Sequence, residues 1–180
     1  MNLRNRSDRY GMPSIALHWL MLLLLVAVYA TVNLAEAFPK GSVQRDGLRA
    51  WHFALGLSVL VLVVVRLAVN LSDRAPRIAP EPPAWQSRSA RLTHLALYAL
   101  MIGLPILGWL VLSARGRPIP FFGFELPALI GENRSVAKFV KELHEIGGTC
   151  GYFIIGFHAA AALFHHYVVR DNTLRRMLPG

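Results

Sequence analysis

Four stretches of the chain run almost free of charge, and each is long and mostly apolar. The first extends from Gly11 to Ala35, between Arg9 and Glu36. The second extends from Ala50 to Val65, between Arg49 and Arg66, and continues through Leu67 to Leu71 with Arg66 snorkelling. The third runs from Leu92 to Ala114 and the fourth from Ile146 to Val169. A membrane-crossing helix needs about 20 mostly apolar residues. Leucine, alanine and valine dominate, without the alternation of a membrane barrel strand. The pattern predicts four transmembrane helices over approximately 13–35, 48–71, 91–114 and 138–169.

The helix breakers agree with this division. Pro13 and Ser14 suit the first turn of a helix. Pro39, Gly41 and Ser42 fill the first connection. The second connection, Ser72 to Ser89, carries Pro76, Pro80, Pro82 and Pro83 and reads as extended along the membrane surface. The third, Arg115 to about Arg134, combines Pro118, Pro120 and Pro127 with Phe121, Phe122 and Phe124, which suit an interfacial belt. Pro105 falls inside the third helix and predicts a kink. Trp19, Trp51, Trp85 and Trp109 read as interface anchors, and Cys150 as core packing. Ala35-Glu36-Ala37 resembles a cleavage site. The apolar run before it exceeds the ~7–15 residues of a signal core, so it reads as a retained helix.

Composition supports a membrane protein. The 180 residues are 54% hydrophobic and only 16% charged, with a formal net charge of +9, whereas a soluble domain is about a quarter charged. One cysteine excludes a disulfide framework. Basic residues beside apolar spans mark membrane flanks rather than a nucleic-acid surface. The amino terminus, second connection and carboxyl tail carry eleven positive charges against four acids, and the opposite side eight against six. That bias places both termini on the cytoplasmic side. The expected fold class is an all-α integral membrane protein, one four-transmembrane-helix bundle over residues 1–180.

Ionisable residues within membrane spans are costly and mark function. His18 lies near the inner start of helix one, and His52 near the outer start of helix two. His144 and His158 stand fourteen residues apart on helix four, close to four full turns, hence on one face and roughly 21 Å apart along the axis. Depth therefore sorts the four into an inner pair, His18 with His158, and an outer pair, His52 with His144. Two opposed imidazoles are an axial haem-ligand set, whereas zinc needs three or four nitrogen or sulfur ligands. Gly56, one turn after His52, and Gly147, Gly148 and Gly151, after His144, leave room for a flat macrocycle or for close helix packing. The absence of Cys-x-x-Cys-His excludes covalent attachment, so two b-type haems are expected. His94 is an alternative to His18 as ligand, or it faces interfacial water. His165 and His166 either meet a quinone or form a wet helix end. Arg115, Arg117, Arg134, Lys138 and Lys141 gather on the outer side, where they attract an anion or solvate the loop.

The stretches Ile15-Ala16-Leu17-His18-Trp19, Trp51-His52-Phe53, Gly151 through Leu163, His165-His166-Tyr167 and Asp171-Asn172-Thr173-Leu174 resemble the bacterial cytochrome b561 family. The likeness covers nearly the whole chain, from the first helix to Pro179, and is weakest over 72–89 and 121–136. It implies an enzyme of the bacterial inner membrane, with iron of two b haems held by His18, His52, His144 and His158. It implies superoxide as electron donor on the outer side, attracted by Arg115 and Lys141, and ubiquinone as acceptor, with His165 and His166 as its candidate contacts. The same plan resembles cytochrome subunits that link a hydrogenase or dehydrogenase partner to the quinone pool. A haem-free transporter is the remaining alternative. Lipid, quinone and superoxide are the expected partners, with no nucleic acid.

Overall fold

The computed structural model describes residues 3–178; the ends of the predicted 1–180 unit, Pro179 included, lie outside them. Four long helices carry the chain: α1 (Met12–Glu36), α2 (Val43–Ser72), α3 (Ala84–Ala114) and α4 (Arg134–Phe164). Each is long and apolar enough to cross a membrane. Their surfaces are apolar outward, as at Leu23, Val64, Leu92 and Phe153, each more than half exposed. This is the outside-facing apolarity that lipid requires and water would penalise.

The three later helices begin at Val43, Ala84 and Arg134 rather than near 48, 91 and 138. Charge ends an apolar window but does not end a hydrogen-bonded helix. The Ser42 hydroxyl accepts the Arg45 N–H, and the Asn133 side chain accepts that of Val136, so each helix is capped outside the apolar span. α3 starts directly after Pro83 and runs through Pro105 without interruption.

α1 packs on α2, α3 on α4, and α2 on α3. Met21, Val59 and Val63 form the buried centre of this contact, with Tyr98, Met101 and Ile102 of α3 against them. Cys150 is exposed, which corrects its expected place in the core. It lies on an outward face of α4, where the apolar environment is lipid rather than protein.

The third connection holds a β-hairpin that the periodicity did not predict, β1 (Ile119–Phe121) against β2 (Phe124–Leu126). Phe122 and Gly123, at φ of 46° and 87°, make its two-residue turn. Positive φ at both positions matches the right-handed twist of the strands. Ile119 is buried with Leu57 and Leu112, which pins the hairpin onto α2 and α3. Trp109 donates its indole N–H to Pro127 O at 2.9 Å, and Trp19 donates to Met177 O at 2.8 Å. Both therefore hold loops to helices, while Trp51 and Trp85 remain exposed in the manner of interface anchors.

The amino-terminal segment, the second connection and the carboxyl tail meet at one end of the bundle, as the charge pattern implies. Asn5 N–H donates to Asp73 Oδ2 at 2.6 Å, Arg77 N–H to Ser7 O at 3.1 Å, and Tyr10 N–H to Arg176 O at 3.2 Å. Arg176 is itself buried, donates to Pro76 O and lies over the Tyr10 ring.

Candidate functional site

His52 of α2 and His144 of α4 face each other with ring centroids 6.1 Å apart. His18 of α1 and His158 of α4 do the same at 6.2 Å. The first pair lies toward the end where α2 and α4 begin. The second lies toward the end where α1 begins and α4 finishes. The structure thus brings together both pairs expected from depth. A metal–imidazole nitrogen bond is about 2.0 Å. Adding the reach from nitrogen to ring centre on both sides puts two trans imidazoles about 6 Å apart. Both separations therefore suit one iron between two rings. His94 lies nearer to His158, at 5.4 Å, which is short for that arrangement. Among the described residues, no group of three or more His, Cys, Asp or Glu is placed to hold a bare metal ion.

The outer pair has the orientation that ligation needs. His52 Nδ1 lies 3.1 Å from Val28 O, and His144 Nδ1 lies 2.9 Å from Leu104 O. A carbonyl only accepts, so each Nδ1 carries the hydrogen and each Nε2 presents a lone pair. Gly108 lies against the His144 ring. It sits one turn after Leu104, and a Cβ there would come within 3.4 Å of His144 Cε1. These partners are main-chain atoms, which residue types do not reveal.

A cavity of about 980 Å³ lies around this pair, at the upper end of the volumes of small-molecule and cofactor sites. Gly56 and Gly148 line it, and a Cβ at either would meet no atom within 4 Å. That leaves two open faces beside His52 and His144, suited to a flat macrocycle. Arg115 and Lys141 line the same cavity. A second cavity, of about 620 Å³, is lined by Arg115, Arg117, Arg134, Lys138 and Lys141, with Glu132 as its one acid. Of the expected basic residues, Arg115, Arg117 and Lys141 therefore line the cavity at the His52–His144 pair, with Asp46 and Glu145 beside them, while Arg134 and Lys138 line only the second. Lys141 also forms an ion pair with Glu145, one turn along α4, which takes up part of its charge.

At the other end, α4 passes into a π-helical turn, His165–Val169, that closes on Arg170 in the left-handed region. This turn brings Asp171 back under His165. His165 Nδ1–H donates to Asp171 Oδ2 at 2.6 Å, and Thr173 N–H donates to Oδ1 at 2.8 Å. His166 Nδ1 is buried without a hydrogen-bond partner. Sequence reading singled out both histidines but missed Asp171, because only the widened turn makes its carboxylate a neighbour.

Burial pushes the Asp171 carboxyl up, but the His165 and Thr173 hydrogen bonds outweigh it and hold it below the usual carboxylate range. A depressed acid stabilises the fold above its unfolded pKa, and the contribution is lost as pH falls through the folded value. Thermal unfolding of Asp171→Asn against the parent checks this. The stability difference should stay constant above about pH 5 and shrink below about pH 4.

A family model described as prokaryotic cytochrome b561 matches residues 9–180. Cytochrome b561 homolog 1 of Escherichia coli (strain K12) is 40% identical over 172 residues, which cover 96% of this chain and 98% of that protein. The Yersinia pestis protein named "Probable superoxide oxidase CybB" is 36% identical over 171 residues, 95% of this chain and 96% of its own. Cytochrome b561 homolog 2 of Escherichia coli (strain K12) is 29% identical over 179 residues, 99% of this chain and 95% of that protein. With four membrane-capable helices and a match over nearly its full length, the chain belongs to the prokaryotic cytochrome b561 family, multi-pass membrane proteins that carry haem b and transfer electrons.

Proposed function

We propose that the protein is a di-haem cytochrome b of the bacterial inner membrane that oxidises superoxide on the outer side and reduces ubiquinone on the inner side, with both termini cytoplasmic. The observation that carries this reading is the matched spacing of two histidine pairs, 6.1 and 6.2 Å, one at each end of the bundle. His52 and His144 hold one haem iron, and His18 and His158 hold the other. Haem supplies reversible one-electron chemistry when bound; the protein's share is position and charge.

Arg115 and Lys141 line the cavity at the His52–His144 pair and focus an anionic donor there. Each superoxide gives up one electron and leaves as dioxygen. Two superoxide anions therefore supply the two electrons that, with two protons, convert one ubiquinone to ubiquinol. At the opposite end Asp171 accepts Nδ1–H of His165, so the ring, once protonated on both nitrogens, donates Nε2–H to a quinone carbonyl. His166 is the second candidate contact. The similarity to the protein named as a probable superoxide oxidase supports the choice of donor.

The test is haem reduction in the purified full chain on exposure to superoxide. Rapid reduction that superoxide dismutase blocks supports the reading. No reduction, together with a co-purifying hydrogenase or dehydrogenase, overturns it in favour of an electron-transfer subunit. In the same assay the double variant Arg115→Glu, Lys141→Glu should react with superoxide about tenfold more slowly at low salt. The difference should shrink as salt rises, and the dithionite-reduced spectrum should not change.

A further inference from the structure

The two histidine pairs differ in what stands behind their rings. His52 Nδ1 and His144 Nδ1 each face a main-chain carbonyl oxygen. His18 Nδ1 instead faces Nη2 of Arg66 at 3.1 Å, with Arg66 Nη1 3.4 Å from Ser14 O. Arg66 comes from α2, less than two turns before that helix ends at Ser72. Among the described residues no carboxylate pairs with it. It is also the charge that interrupts the second apolar stretch, and neither the fold nor the electron route described above gives it a purpose.

The two kinds of neighbour act in opposite directions on a ligated iron. A carbonyl that accepts from Nδ1–H pushes electron density into the ring and makes it a more basic ligand, which favours the ferric state. A guanidinium keeps its charge and only donates. With Nδ1 as the acceptor, a neutral His18 ring carries its hydrogen on Nε2. Ligation through Nε2 places a hydrogen on Nδ1; two donors do not share a 3.1 Å contact, so Arg66 then turns off that nitrogen, keeps Ser14 O as its acceptor, and acts as a neighbouring charge rather than as a donor to the ring. A positive charge held close by and partly shielded from solvent stabilises the state with one more electron, here the ferrous one. Charge close to an iron centre is one of the levers that set its potential.

We infer that Arg66 favours electron flow toward the His18–His158 site, by raising the reduction potential there. The inference rests on the two-haem reading above. The step is the transfer of one electron. The iron at His52–His144 is oxidised from ferrous to ferric and the iron at His18–His158 is reduced from ferric to ferrous, with no bond formed or broken. Arg66 is a positioning residue for charge and touches neither superoxide nor quinone in this scheme.

The experiment is a potentiometric titration of the haem-loaded full chain in detergent, followed at the b-type α band. The parent should give two one-electron waves. Arg66→Gln should move only the His18–His158 wave, downward, by about tenfold in the ferric–ferrous equilibrium, about 59 mV for one electron. Arg66→Lys, whose shorter side chain holds its charge further from His18, should move the same wave less in the same direction. Repeating the titration in His144→Ala, which keeps only the His18–His158 site, assigns the wave. Both waves staying in place, or movement of the wave that His144→Ala removes, overturns the inference. Should the Gln variant lose the inner haem, the Lys variant decides, and a midpoint at or above the parent's overturns the role. Failure of the two-haem reading shows separately, as one haem or none per unsubstituted chain, and the inference falls with it.

Discussion

Under the two-haem reading, alanine at His52 or at His144 should remove one haem of two and leave the other in place. The expectation follows from how the pairs are built. Each lies across two helices, and α4 supplies one member to both. Removing either outer histidine leaves a single ligand on that side, while the His18–His158 spacing depends on neither side chain. Haem content measured as the pyridine derivative should fall from two per chain to one, and the surviving α band should be that of an intact bis-imidazole haem. Superoxide-driven reduction should be lost in both variants, since the electron then has no acceptor beside the basic cavity. Loss of both haems together would mean that the substitution unfolds the bundle. Loss of neither would remove His52 and His144 as ligands. His94→Ala belongs in the same series. It should keep both haems if His18 is the partner of His158, and lose one if His94 is.

His165→Ala should slow quinone reduction by about 10²-fold or more, the usual contribution of a placed proton donor, without altering the reduced haem spectrum. Asp171→Asn should do nearly as much. The carboxylate accepts Nδ1–H of His165 at 2.6 Å, fixing which ring nitrogen carries the hydrogen and which faces outward. An amide at that position carries no negative charge to support the doubly protonated ring that donates from Nε2. Pre-reduced protein mixed with a short-chain ubiquinone gives the rate of haem reoxidation. Unchanged reoxidation in both variants would place the quinone away from this turn. Slowing by His165→Ala alone would leave Asp171 with a purely structural part.

The four spans and the two histidine pairs were legible in the sequence because both are statements about spacing along a rod. Lipid forces every apolar stretch of that length into a helix. Once a helix is granted, fourteen residues place His144 and His158 on one face whatever surrounds them. The helix starts were less legible, because Arg49, Arg91 and Glu145 end the apolar windows while the hydrogen-bonded helices run on past them. The hairpin at Ile119–Leu126 was hidden by its prolines and clustered phenylalanines, which read equally well as an interfacial loop; Phe122-Gly123 was the turn signal. The carbonyls of Val28 and Leu104 could not be read at all, since every residue has one and only packing decides which is aimed at a ring. Asp171 was quoted only as part of a resemblance, because its meeting with His165 depends on one widened turn.

The pairing of helices has a consequence for assembly. α1 with α2 and α3 with α4 form two closely packed hairpins, and each histidine pair takes one ring from the first hairpin and one from α4 of the second. Under the two-haem reading each iron is a rivet between two halves that otherwise meet through fewer contacts of their own. A ligand that binds only the folded state stabilises it by mass action. The mature bundle then becomes a sensor of its own cofactor supply. On that reading, chain freed of haem should be cleaved by added protease faster than haem-loaded chain.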